Sequence, residues 1–567
     1  MKRPALSELT LRQKIGQLLM LSTGELLMKK ELDETGERVR RSYAEIDEIM
    51  EKYQYGSLWA WAGVRRNPNL PDGFEFTYQM RGWMEIGPAE DYKAFIDRIS
   101  EKLRIPLIVG GDSERGCGHF IGGTGTVGAY NIGAANDCEL AYKLNAGISA
   151  EEKAGGIQWR FGPVVDIHNR YCSIASGRTF SDDHKKIVDL AVASVRGTES
   201  VNVAATVKHF PGADPYDIRD GHVVTSAITI PLEEWEKTQG KIFQEVIDAG
   251  VLSVMTTHKT FPPVDDTLMG DMYTPATFSK KIVTGLLREK MGFEGVIITD
   301  DISMGGMANA CSREDSLIYM INAGHDVLLG VQPYDAEVVY QAVMDGRIPM
   351  ERIDESCERV LIMKEKIGLF DEKQETMDMA QANAIVQEAN QAIAEKSITM
   401  LRDRNNMIPL KKEAIKRVTI IASSNTPGFT NSLNVMKAEF EARGAEVKIV
   451  DTLIRAPHLE KIDAESDLII YAGYVAPHQP VGMPSLYGDA MKTYWAAFSY
   501  GKEKSIGVSM GYPYLHIDAM QGANTFFNIY TNNALVQKSF VKALYGEIPI
   551  EGVSPVDLEP KLRLIYG

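Results

Sequence analysis

Two adjacent carboxylates, Asp300 and Asp301, end an apolar run in the segment GVIITDDISMGGM (295–307). Side chains alternate along a strand, so the two point to opposite sides. One can face the open end of a sheet while its neighbour turns to the wall or caps the next segment. A carboxylate at a strand end is placed to attack a sugar carbon from one side. The same pattern also fits a strand that simply ends and caps a helix.

A second group lies in VKHFPGADPYDIRDGH (207–222). Lys208 and His209 end a strand and supply donors for sugar hydroxyls. A Pro- and Gly-containing loop follows and carries Asp214, Asp217, Arg219, Asp220 and His222. An Asp two residues before a His can orient the imidazole and raise its basicity, which suits general acid/base work near neutral pH. A solvated loop with an ion pair would read the same way. Asp112, in GGDSERG (110–116), can hold two vicinal hydroxyls or cap a helix. Arg178, in SGRTFSDD (176–183), can donate to a sugar, fix a carboxylate or form a structural ion pair. Trp59, Trp61 and Trp83 could stack on a sugar or belong to the core. The stretch 122–136 is glycine-rich but lacks the phosphate-cradling G-x-x-x-x-G-K-[ST] pattern. The ten His show no metal-ligand spacing, so neither a metal nor a cofactor is expected.

These groups need elements to hold them. Candidate strands are 56–61, 106–111, 159–166, 203–210, 251–258, 295–300 and 325–330, with helix-like segments such as 182–199 and 279–291 between them. Several of the strands are apolar on both faces, as in a parallel sheet covered on both sides. The alternation predicts a (β/α)8 TIM-like barrel, with seven strands assigned and an eighth to be found. Asp112, Asp166, Lys208, His209, His258 and Asp300 all fall at the C-terminal ends of these strands, the rim that carries catalytic groups in that fold. A charged linker (365–378) and a long helix (about 379–402) come next. A second α/β pattern follows, with strands at 417–423, 446–451, 467–473, 505–511 and 525–530. The expected organisation is a catalytic barrel over 1–365, a linker and connecting helix over 366–402, and a smaller α/β sandwich domain over 403–567.

Composition narrows the classes. The chain has 567 residues, too many for one hydrophobic core. It carries a net charge of −16, which argues against a nucleic-acid partner. Its five cysteines are scattered and odd in number, which favours a reducing compartment. The N-terminus has amphipathic helix spacing rather than a signal-peptide core, and no run reaches the length of a membrane span. A soluble cytoplasmic protein acting on a small carbohydrate, with no membrane partner, is the expectation. The oligomeric state is not legible.

Taken together, these residues resemble glycoside hydrolase family 3, and within it are most similar to the β-N-acetylhexosaminidase branch. The similarity runs through LRQKIGQLLM (11–20), PLIVGGDSERG (106–116), FGPVVDIHNR (161–170), SGRTFSDD, KHFPG (208–212), VMTTHKTFPPVD (254–265), the segment 274–306 and AGHDVLL (323–329). It continues in ITMLRDRNNMIPL (398–410), GYPY (511–514) and ALYGEIPIEGVSPV (543–556). The resemblance implies a covalent glycosyl–enzyme on Asp300 as nucleophile and His222 as acid/base, oriented by Asp220. It further implies that Asp112, Arg178, Lys208 and His209 bind the sugar before the cleaved bond. A neutral imidazole avoids the repulsion a second carboxylate would feel beside the nucleophile, and its unperturbed pKa of about 6.5 suits giving and taking a proton. Retaining chemistry brings its two groups to about 5–5.5 Å, so His222 is expected to swing in on its loop, with Gly212 and Gly221 as flexible points.

The chain departs from the branch in five places, one of them a long, aromatic first loop at about 60–90. Ala213–Asp214 stands where His-Gly is usual, and the loop to His222 is about one residue longer. Gly221 separates Asp220 from His222, and S-E-R-G-C-G follows Asp112 in place of a double-glycine form. These changes surround the sugar and bear on N-acetyl specificity more than on reaction type. The favoured reading is hydrolysis of terminal β-linked N-acetylglucosamine from peptidoglycan or chitin fragments. Phosphorolysis, a β-glucosidase-type exo-glycosidase and a non-catalytic sugar-binding protein are the alternatives.

Overall fold

The computed structural model describes residues 2–558 apart from 67–73, 78–85, 169, 171–175, 218, 373–375, 452–455, 477–483, 495–496 and 500. The chain divides into two compact units. The first comprises Met1–Thr126, Ala141–Asp166 and Ala191–Gln387, and the second Val127–Leu140, Ile167–Leu190 and Glu388–Gly567.

The first unit is built on eight parallel strands: β1 (Leu19–Ser22), β2 (Ser57–Trp59), β3 (Ile108–Gly111), β4 (Trp159–Arg160), β5 (Ala204–Phe210), β6 (Ser253–Thr256), β7 (Val296–Thr299) and β8 (Leu328–Val331). Their spatial order is their chain order, with β1 paired to β8. The ring closes between β7 and β8 through a parallel bridge, Ile298 to Val327. Every residue of β1, β2, β3, β6 and β7 is buried, which is why these segments read as continuous apolar runs. Met20, Ile108, Trp159, Phe161, Met255, Ile298 and Leu329 are among the side chains that fill the interior. The eighth strand is β1. It follows the helix Leu11–Gln17 after a single residue, so the two elements merge in the sequence into one helical-looking run, LRQKIGQLLM.

Two buried charges complete the barrel frame. Asp326, fully buried at the β7–β8 seam, accepts from Arg288 Nη2 (2.7 Å), Arg352 Nη2 (2.8 Å), Arg359 Nη1 (3.1 Å) and the backbone N–H of Ile297 (2.9 Å). Lys364 donates to Gln17 Oε1 (2.7 Å) and to the carbonyls of Gly56 and Pro106 (both 2.8 Å), just ahead of β2 and β3. Its three donors match three acceptors, which meets the cost of burying the group.

The second unit holds a six-stranded mixed sheet. Its strands are β9 (Thr399–Asp403), β10 (Arg417–Ser424), β11 (Glu446–Val450), β12 (Leu468–Tyr474), β13 (Ser505–Ser509) and β14 (Thr525–Asn528). The order is β9-β14-β13-β12-β10-β11, and only the β9–β14 pair is antiparallel. The five strands expected here are present. The sixth, β9, lies partly inside the stretch expected to be helical, because the preceding helix is Met379–Lys396. No helix among the described residues is long and apolar enough to cross a membrane.

Candidate active site

Asp300 follows directly on β7, and its backbone N–H donates to Thr256 O at the end of β6. Strand alternation separates the two neighbouring carboxylates as expected. Asp301 turns away and caps the next turn: it accepts from Ser303 N (2.9 Å) and Ser303 Oγ (2.7 Å). A Cβ on Gly330 of β8 would stand 2.4 Å from Asp301 Oδ1, so that position leaves room only for glycine. Asp300 instead faces a cluster of cationic and imidazole groups. Burial pushes its pKa up, but His209, His258, His222 and Lys208 together outweigh burial and hold it at about 2. The carboxylate is therefore ionised at any ordinary pH.

Lys208 and His209 both serve this rim although they are sequence neighbours. The β5–β6 register shifts between Lys208 and Phe210, an irregularity of the kind that re-aims side chains near active sites. Lys208 is almost fully buried. Its ammonium lies 2.8 Å from Asp112 Oδ1 and 2.8 Å from Glu114 Oε1. His209 Nδ1 donates to Asp166 Oδ2 at 2.7 Å. His258 is buried with its pKa lowered, chiefly by burial; its Nε2 donates to Asp301 O at 2.9 Å and its Nδ1 lies 2.7 Å from Thr277 Oγ1.

Asp220 and His222 lie in the loop after β5. His222 Nδ1 donates to Asp220 Oδ1 at 2.7 Å, and His222 N donates to the same oxygen at 2.9 Å. Asp220 is buried, whereas the His222 side chain is 46% exposed. The turn is seated on the segment after β7. Gly305 N donates to His222 O (2.9 Å), and Thr225 Oγ1 donates to Gly306 O (2.9 Å). A Cβ on Gly306 would lie 2.3 Å from Gly221 O, so the Gly305–Gly306 pair permits this close approach. The loop is thus on the same rim as Asp300, and His222 is among the groups that lower the pKa of that carboxylate.

Of the residues singled out from the sequence, Asp300, His222, Asp220, Asp112, Lys208 and His209 all belong to the first unit and gather at this rim. Arg178 belongs to the second unit. The segment around Arg178 is tied to that unit by Tyr130, whose hydroxyl bonds both His168 Nδ1 and Ser176 Oγ at 2.9 Å. Trp59 is core and stacks on Trp61 with ring centroids 4.6 Å apart; Trp83 lies outside the described residues. Sequence reasoning assigned no role to Glu114 or to the Asp166–His209 pair. Asp166 had a signal, since it ends a candidate strand beside the one bearing His209. Glu114 had none beyond its place two residues after Asp112.

Comparison with known proteins agrees with this geometry. Residues 10–363 match the model of the glycosyl hydrolase family 3 N-terminal domain. A protein of Cellulomonas fimi named β-N-acetylglucosaminidase/β-glucosidase is 26% identical over 500 residues, which cover 83% of this chain and 86% of that one. The solved structure of a β-glucoside phosphorylase, BglX, superposes with a TM-score of 0.79 at 25% identity, covering 97% of this chain and 94% of that one. A family 3 β-N-acetylglucosaminidase from Paenibacillus sp. str. FPU-7 gives 0.75 at 24% identity over 97% and 99% of the two chains. The match covers more than half of the sequence and includes the whole rim just described, and on that ground this chain belongs to glycosyl hydrolase family 3.

Proposed function

We propose that the protein is a retaining exo-glycosidase that hydrolyses terminal β-linked N-acetylglucosamine. The observation that carries this reading is an ionised Asp300 at a barrel strand end, sharing its rim with the Asp220–His222 dyad. Asp300 attacks the anomeric carbon. With Nδ1 bonded to Asp220, proton transfer falls to His222 Nε2, which protonates the departing glycosidic oxygen. A water then attacks the glycosyl–enzyme, gives its proton back to His222 and releases Asp300. Asp112, held by Lys208, and His209, held by Asp166, supply acceptor and donor groups for the sugar hydroxyls.

A second reading is phosphorolysis, in which phosphate replaces water. The similarity to a β-glucoside phosphorylase supports it, as does an imidazole acid/base, which does not repel an anionic acceptor. Asp112 and Glu114, two carboxylates that share the single ammonium of Lys208, weigh the other way, toward a neutral acceptor. Intact Asp300 and Asp220–His222 argue against a non-catalytic sugar-binding protein.

The test compares aryl N-acetyl-β-glucosaminide with aryl β-glucoside, each with and without phosphate. Preference for the N-acetyl substrate without phosphate stimulation is expected. A glucoside preference would refute the substrate assignment, and a sugar phosphate product would establish the second reading.

A further inference from the structure

The loop that carries the acid/base leaves β5 at Phe210 and returns past Thr229. Asp214 is completely buried near its base. Its Oδ1 accepts from the N–H groups of Tyr216 (2.5 Å) and Asp217 (2.9 Å) on the outgoing limb. Its Oδ2 accepts from Thr229 on the returning limb, from the backbone N–H and from the hydroxyl at 3.0 Å. One carboxylate thus ties the two limbs together. Asp217 repeats the arrangement one step further out: its Oδ2 accepts from Ala227 N (2.7 Å), and its Oδ1 accepts from Arg219 N (3.0 Å) and Arg219 Nε (2.9 Å). The returning limb is also fixed to the neighbouring loop, with Thr260 N donating to Ser226 O (2.9 Å) and Ile228 N donating to Thr260 O (2.7 Å).

Two carboxylates that each bridge both limbs are more than solvated loop charges. Charge-assisted bonds to backbone N–H groups are the stronger class, and here they cross-link chain segments 10 to 15 residues apart. They also account for a departure from the family pattern, since Asp214 stands in the Ala213–Asp214 pair that replaces His-Gly. Gly212 stands at φ +115, a conformation that a residue with a side chain rarely adopts.

We propose that Asp214 and Asp217 are positioning residues for proton transfer. They staple the base of the loop, so that any swing of His222 toward the glycosidic oxygen begins beyond Asp217, and they hold the dyad in register with its Gly305–Gly306 seat. The inference rests on reading His222 as the acid/base. Neither carboxylate touches the sugar in this scheme, and loosening either misplaces the acid alone.

The test is a leaving-group comparison. The variants Asp214→Asn, Asp217→Asn and Thr229→Val are assayed on phenyl and 2,4-dinitrophenyl N-acetyl-β-glucosaminides. Phenolate needs protonation to depart and dinitrophenolate does not, so kcat/KM should fall about tenfold on the first and less than about twofold on the second. Inhibition by free N-acetylglucosamine, which reports the sugar subsite, should not change. Thr229→Val removes only a hydroxyl, so the test survives if Asp214→Asn fails to fold. Equal losses on both substrates, weaker inhibition in parallel, or no loss on either would overturn the proposal. His222→Ala in the same series separates the two claims. If it shows no leaving-group dependence, the acid/base reading itself falls. If it shows that dependence and the staple variants do not, only the staple falls.

Discussion

His209 Nε2 lies 4.0 Å from Asp300 Oδ2 while its Nδ1 is bonded to Asp166 Oδ2 at 2.7 Å. One imidazole therefore stands between two carboxylates, with Asp166 fixing its orientation and Asp300 facing its other ring nitrogen. After burial, which acts in the opposite sense, His209 is the foremost influence on the pKa of Asp300.

His209→Gln should therefore raise the pKa of Asp300 from about 2 toward the usual carboxylate range. In the proposed mechanism Asp300 must be ionised to attack, so the acid limb of the kcat/KM profile should move up in pH. Loss of the imidazole donor should also lower the plateau about 10- to 100-fold. A pH–rate profile from pH 3 to 7 checks both effects. An unmoved acid limb would show that His209 does not govern the carboxylate.

Lys208 holds Asp112 and Glu114 at 2.8 Å each. Lys208→Met should leave two neighbouring carboxylates without their shared cation and disorder Asp112, the proposed sugar-hydroxyl acceptor. The expected result is a rise in KM and in the inhibition constant of the free monosaccharide, each about 10- to 100-fold. Unchanged inhibition would place the sugar elsewhere.

Glu152 is fully buried, and burial pushes its pKa up to about 7 despite Arg160, whose Nε is 4.0 Å away. The native state then binds a proton that the unfolded chain, with an ordinary pKa of about 4.3, has lost. Stability from this group is present below about pH 4.3 and declines as pH rises to about 7. Glu152→Gln should remove that decline, worth up to about 3 kcal/mol between pH 5 and 8. Urea titrations across this range measure it, and parallel wild-type and variant curves would refute it.

Asp326 accepts from three arginines at the seam that closes the barrel. Asp326→Asn should destabilise the first unit by about 3–5 kcal/mol, because three guanidinium groups lose their counter-charge in a buried site. Thermal unfolding followed by circular dichroism measures the loss. A change below about 1 kcal/mol would mean that the arginines find other partners.

Some of this was legible without coordinates because it depends on local pattern. Seven barrel strands announced themselves as apolar runs, since burial on both faces demands it. The opposite orientations of Asp300 and Asp301 followed from the two-residue period of a strand. The Asp220–His222 bond is a contact between residues two apart, which spacing alone makes possible. β1 and β9 escaped because each abuts a helix, and one continuous apolar pattern covers both elements.

The sequence by itself determined the class of fold and put the candidate polar side chains at the ends of its strands, because both depend on short-range periodicity and residue type; the roles proposed for those side chains come from the resemblance to glycoside hydrolase family 3. Tertiary structure alone decided which groups meet. Lys208 finds Asp112 and Glu114 across some ninety residues, His209 finds Asp166, and the His222 turn finds Gly305–Gly306. Such pairings depend on barrel closure, strand register and loop path, all of them long-range, and no local pattern encodes them.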